Sequence, residues 1–139
     1  CVVLTAYIPM LMDTGGNAGG QASVTIIRGL SLDEIEFGDL IRVVWKEARV
    51  ALLCGITLGA ANFAKLLVFD RVGIVVAGVV CLTLTAAVLI AKVVGCILPM
   101  LARKAGFDPA VMASPFITTI VDALSLLIYF RIAAVMLHI

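Results

Sequence analysis

Asp13, Asn17 and Gln21 recur every four residues, and Ser114, Thr118, Asp122 and Ser125 follow one another at intervals of four, four and three. Each set falls along one face of an α-helix. Each joins a carboxylate to amide or hydroxyl oxygens, a donor set suited to a hard cation. Mg²⁺ in particular keeps most of its water and needs only one or two carboxylates. Thiolate and imidazole ligands for zinc or copper are absent from both stripes. Asp122 is the more telling of the two acids. It stands near the middle of an apolar run from Ala110 to Ile139, and no cation follows it within a helical turn or two. A lone carboxylate at that depth is costly in hydrocarbon, so it faces a protein interior or water and marks function by default.

The elements that carry these stripes belong to a membrane. The chain is 63% hydrophobic and 14% charged, with a mean hydropathy of +1.22. A soluble domain has about 45–50% apolar and about 25% charged residues. The net charge of +1, without a basic arm or zinc spacing, gives no footprint for nucleic acid. Cys1, Cys54, Cys81 and Cys96 are scattered singly in apolar runs and read as packed thiols, not as disulfides or a metal cluster. His138 reads as a stray terminal histidine. The chain opens on Cys1, inside a hydrophobic run with no charged region or cleavage site before it, so that run is not a signal peptide and residues are expected upstream.

Spanning a bilayer takes about 20 apolar residues, and four runs qualify: Cys1 to about Ile27, Val50 to Val68, Val72 to Leu101, and Pro109 to about Leu137. The fold class is therefore all-α, a polytopic transmembrane bundle. Phe69-Asp70-Arg71 makes a tight helical hairpin. Between the third and fourth runs, Gly106 suits a helix C-cap, Asp108 an N-cap and Pro109 the first helical position. Ser31-Leu-Asp-Glu34 fits a capping box, which predicts a short amphipathic helix at the membrane surface. Its apolar face is Ile35, Leu40, Ile41, Val44 and Trp45, with the tryptophan at headgroup level. The acids Asp33, Glu34, Glu36 and Asp39 read as a solvated face. Arg28, Arg42, Lys46, Arg49, Arg103 and Lys104 fall on one side of the membrane, and Lys65, Arg71 and Arg131 toward the other. By the positive-inside rule, residues 28–49 and 102–108 are cytoplasmic and the C-terminus lies outside.

The first run adds two overlapping GxxxG pairs, Gly15/Gly19 and Gly16/Gly20. These allow close helix packing or, where no side chain covers the backbone, a polar path lined by carbonyls. Asp, Asn and Gln on the same stripe favour the path. At 1.5 Å per residue, Asp122 and Asp13 each lie roughly 20 Å from the cytoplasmic end, at mid-membrane height. Pro115 frees the carbonyl of Val111 and can kink its helix. Gly55/Gly59, Asn62, Thr83 and Thr85 read as packing or interface positions, and Lys92 as a lysine that snorkels.

These residues resemble the transmembrane domain of the MgtE family of bacterial magnesium channels, related to the solute carrier family 41 magnesium transporters. The likeness rests on Pro9-Met-Leu-Met-Asp13-Thr-Gly15-Gly16-Asn17-Ala-Gly19-Gly20-Gln21 with Arg28-Gly29-Leu30. It rests equally on Leu98-Pro99-Met-Leu101 and on Asp108-Pro109-Ala through Ser114-Pro115-Phe116-Ile-Thr118-Thr119 and Asp122 to Tyr129-Phe130. It covers nearly the whole of residues 1–139. The resemblance implies helices two to five of a five-helix pore domain, in a homodimer with the pore on the two-fold axis. The first helix, and the cytoplasmic regulatory domains that many members carry, would lie outside this chain. It also implies a multi-pass inner-membrane channel in which Asp122 and its symmetry mate hold one largely hydrated Mg²⁺. Further oxygens would come from Thr118, Ser114 and the Gly15-Gly16-Asn17 segment. The family position of Asp13 is not always acidic.

A coupled divalent-cation carrier driven by Na⁺ or H⁺ is the alternative within the same class. An intramembrane aspartyl protease, with Asp13 and Asp122 as a dyad, lacks the Gly-x-Gly-Asp signature. A purely structural anchor needs no polar stripes. An enzyme is therefore not expected.

Overall fold

The structure, a computed structural model, describes residues 2–112 and 114–138, except for the side chain of Ser114. Among the described residues it is helical with no strand. A short turn α1 (Val2–Thr5) leads into α2 (Ile8–Ser31), followed by α3 (Leu40–Val68), α4 (Ile74–Lys104) and α5 (Ser114–Leu137). Among the described residues, three helical segments are long and apolar enough to cross a membrane: Phe37–Val68, Ile74–Lys104 and Pro115–Leu137. With 24 residues, α2 is also long enough, but Asp13, Asn17, Gln21 and its glycines make it less apolar.

Helix α4 is the centre of the bundle and packs against α2, α3 and α5, while α2 also packs along α5. Three apolar clusters hold this arrangement. Near the start of α4, Leu11, Leu66, Val80 and Leu84 close around Tyr7 and Tyr129. In the middle, Ala91, Ile117 and Val121 join α4 to α5. At the far end Ile26, Leu30, Cys96 and Met100 meet Ile35, Phe37, Leu40 and Val44.

The connections revise several expectations. The capping box does not start at Ser31, whose Oγ donates back to the Ile27 carbonyl (2.9 Å) as part of α2. It forms about five residues further on, where Asp39 accepts the Glu36 N–H (3.1 Å) before α3 begins. The amphipathic segment is consequently the first turns of α3, continuous with the span, and not a separate surface helix. Its apolar face is narrower than expected: Leu40 and Val44 pack inward, whereas Ile41 and Trp45 are 84% and 66% exposed. The last run is also broken. Asp108 does accept the Ala110 N–H (3.0 Å), but Pro109–Met112 is a 3-10 turn, and Ser23 donates to the Met112 carbonyl (3.0 Å). Pro115 lies in the first turn of α5, where a missing N–H is tolerated, so it starts a helix instead of kinking one.

Other readings hold. Gly106 ends α4 with φ +85°; its N–H donates to Arg103 and that of Phe107 to Ala102, a Schellman cap. Gly55 of α3 packs on Thr85 of α4, whose Oγ1 donates to the Gly55 carbonyl (3.0 Å), confirming these as packing positions. The acids at residues 33–39 are engaged in part: Asp33 pairs with Arg103 (2.9 Å) and Asp39 with Arg42 (3.0 Å). Arg103 also donates to the Leu30 carbonyl, binding the end of α4 to the end of α2. Of the cysteines, Cys96 is buried, Cys81 half-buried and Cys54 exposed, while Cys1 lies outside the described residues.

Candidate cation path

Two faces of α2 do different work. Four glycines within six residues weaken a helix intrinsically, and here three of them, Gly15, Gly16 and Gly19, let neighbouring helices approach. A β-carbon at Gly15 would stand 3.1 Å from Ser125 Oγ and 3.2 Å from Val121 Cγ1. At Gly19 it would stand 3.1 Å from both the Ala91 carbonyl and Ile117 Cγ2. On α4, Gly95 answers by lying directly against the Gly19 carbonyl. Gly15 and Gly19 are thus packing glycines, as the plainer reading of GxxxG has it. The adjacent face carries Asp13, Asn17 and Gln21, all exposed on a single chain.

Where these faces meet, the two polar stripes come together. A cavity of about 170 Å³ is lined by Met12, Asp13, Gly16, Asn17, Thr118 and Asp122. Gly16 makes this approach close, since its β-carbon would stand 3.2 Å from Thr118 Cγ2 and 3.8 Å from Asp122 Oδ1. Thr118 Oγ1 donates to the Pro115 carbonyl (3.0 Å), which fixes the hydroxyl in the first turns of α5. Asp122 is eight residues from Ser114, roughly 12 Å along α5, nearer the helix start than a helix beginning at Pro109 would place it. Asp13 faces the same space regardless. The structure therefore brings together five of the seven residues singled out as cation ligands: Asp13, Gly16, Asn17, Thr118 and Asp122. Gly15 turns into the α2–α5 contact, and the Ser114 side chain lies outside the described residues.

A second, larger cavity of about 600 Å³ shares Gly16, Asn17 and Thr118 with the first and continues along Gly20 and Gln21 to Glu47 and Lys92. Lys92 does not simply snorkel. Its Nζ is 3.1 Å from Glu47 Oε2, with side chains 11% and 16% exposed. Sequence reasoning missed Glu47, although a lysine within an apolar helix calls for a counter-charge. Among the described residues, no three His, Cys, Asp or Glu side chains converge as a metal cage. The donors are two carboxylates, an amide and a hydroxyl around an open space, a set that suits an ion keeping its water.

Apolar helices of bilayer length beside a groove of carboxylate, amide and hydroxyl oxygens define a polytopic helical membrane protein with a polar groove. The sequence model of the MgtE divalent cation transporters matches residues 8–132. The chain belongs to that family, whose members are transporters and not enzymes. It is similar to the magnesium transporter MgtE of Thermus thermophilus, with 38% identity over 97% of this chain and 30% of that protein. Those of Bacillus subtilis and Enterococcus faecalis are 34% and 32% identical over 99% and 98% of the chain, and again 30% of each protein. The chain thus spans about a third of the length of these relatives.

Proposed function

We propose that this chain is a pore-forming part of a membrane magnesium transporter, in which Mg²⁺ crosses largely hydrated along the groove between α2 and α5. Asp122 is the main cation-binding carboxylate. Thr118, Gly16 and Asn17 add oxygens, with Ser114 one turn earlier and Asp13 across the cavity, while Gly15 positions the segment. The observation that carries this reading is the convergence of Asp13, Asn17, Thr118 and Asp122 on one cavity from helices about a hundred residues apart. Membership of a divalent cation transporter family supports it, as does the naming of the relatives as magnesium transporters.

Asp13, Asn17 and Gln21 open outward on a single chain, and polar groups facing lipid are costly. A second copy placed about a two-fold axis covers them and brings a second Asp122 to a shared, water-filled path. In this reading α2 crosses the membrane with the other three helices, giving four spans. Arg28, Arg42, Lys46, Arg49, Arg103 and Lys104 face the cytoplasm by the positive-inside rule, and the end of α5 faces outward.

Mg²⁺ entry into proteoliposomes holding the full-length protein, followed with a trapped indicator and no Na⁺ or pH gradient, tests the reading. Entry down the Mg²⁺ gradient alone is expected. Entry only when a Na⁺ or pH gradient is imposed would make the protein a coupled carrier, and no entry under either condition would overturn the assignment.

A further inference from the structure

The Glu47–Lys92 pair does not line the cavity that holds Asp122, yet it occupies the wall of the larger cavity. It bridges α3 and α4 at 3.1 Å with both side chains largely withdrawn from solvent. Removing either partner of such a pair leaves an uncompensated charge, here beside a cavity that adjoins the one holding Asp122 through Gly16, Asn17 and Thr118. Charge in the low-dielectric wall of a cleft changes the local concentration of ions of opposite sign.

We propose that this pair sets the electrostatic bias of the cation approach: Glu47 is a cation-attracting carboxylate, and Lys92 holds it neutralised, limiting how strongly the cavity gathers divalent cations. The inference rests on the magnesium-transport reading, and its signature is a pair of opposite effects. Freeing Glu47 adds one negative charge to the wall, while freeing Lys92 adds one positive charge. A contact that only bolted α3 to α4 would make both losses act in the same direction.

The test compares the full-length parent with Lys92→Gln, Glu47→Gln and the double variant, normalised to the monodisperse fraction on size exclusion. Initial Mg²⁺ uptake is measured at subsaturating Mg²⁺, and Mn²⁺ binding to the detergent-solubilised protein is titrated by electron paramagnetic resonance. K92Q is expected to raise uptake and tighten Mn²⁺ binding by about tenfold. E47Q is expected to lower both by a similar factor, and the double variant to return toward the parent. Single variants that shift in the same direction, or not at all, overturn the proposal. Should E47Q not fold, K92Q alone decides, and an unchanged or lowered affinity counts against it. A parent that binds Mn²⁺ with this order of affinities but takes up no Mg²⁺ would contradict the transport reading and leave the charge bias standing.

Discussion

Gly16 of α2 and Asp122 of α5 approach so closely that a β-carbon on the glycine would stand 3.8 Å from Asp122 Oδ1 and 3.2 Å from Thr118 Cγ2. Absence of a side chain at residue 16 therefore serves two ends. It lets the helices meet, and it keeps open the cavity that Asp13, Asn17, Thr118 and Asp122 share. A Gly16→Val substitution should fill that space and crowd the Thr118 methyl. The expected outcome is a sharp fall in Mg²⁺ uptake with an overpacking cost of about 1–3 kcal/mol, read from uptake and from unfolding in detergent. Unimpaired uptake would place the ion path elsewhere.

The glycines of the bundle should separate by position. Gly95 lies against the Gly19 carbonyl, a backbone group that cannot move aside as a side-chain tip can, and its β-carbon would also stand 3.1 Å from Ala22 Cβ. Gly95→Ala is expected to force α2 and α4 apart and lower the unfolding temperature. At Gly20 a β-carbon would meet nothing within 4 Å, so Gly20→Ala should be tolerated or gain about 0.5–1 kcal/mol from helix propensity. Thermal unfolding of the two variants side by side checks the contrast.

Tyr129 is buried, and its hydroxyl donates to the Leu4 carbonyl at 2.8 Å, joining α5 to α1 across 125 residues. Tyr129→Phe keeps the ring and removes the bond. It should cost about 1 kcal/mol and raise amide hydrogen exchange in residues 2–7, with exchange in the middle of α4 unchanged.

Much of this was legible in the residues because helical periodicity and hydrocarbon energetics leave few alternatives. The spacing of Asp13, Asn17 and Gln21, and that of Thr118 and Asp122, set each polar stripe on one face. The cost of Asp122 in lipid required a polar cavity for it. Gly106 and Asp108 marked their turns by backbone and capping chemistry. What escaped depends on contacts between distant segments. Ser31 can cap its successors or bond back to Ile27, and only the docking of Ile35 and Phe37 on Ile26 and Met100 decides between them. Pro115 suits either a kinked or a new helix until Ser23 holds the Met112 carbonyl. Glu47 joins the site only because α3 packs on α4 beside Lys92, a pairing 45 residues apart that no local pattern announces.

The central claim is that the Asp122 carboxylate binds the cation in transit, and it is tested most directly by Asp122→Ala. The measurement is the initial rate of Mg²⁺ entry into proteoliposomes at equal amounts of folded full-length protein. Loss of one charged ligand on a path is worth about 1.5–3 kcal/mol, so a fall of about tenfold or more is expected, with the elution profile of the protein unchanged. A rate equal to that of the parent would contradict the account.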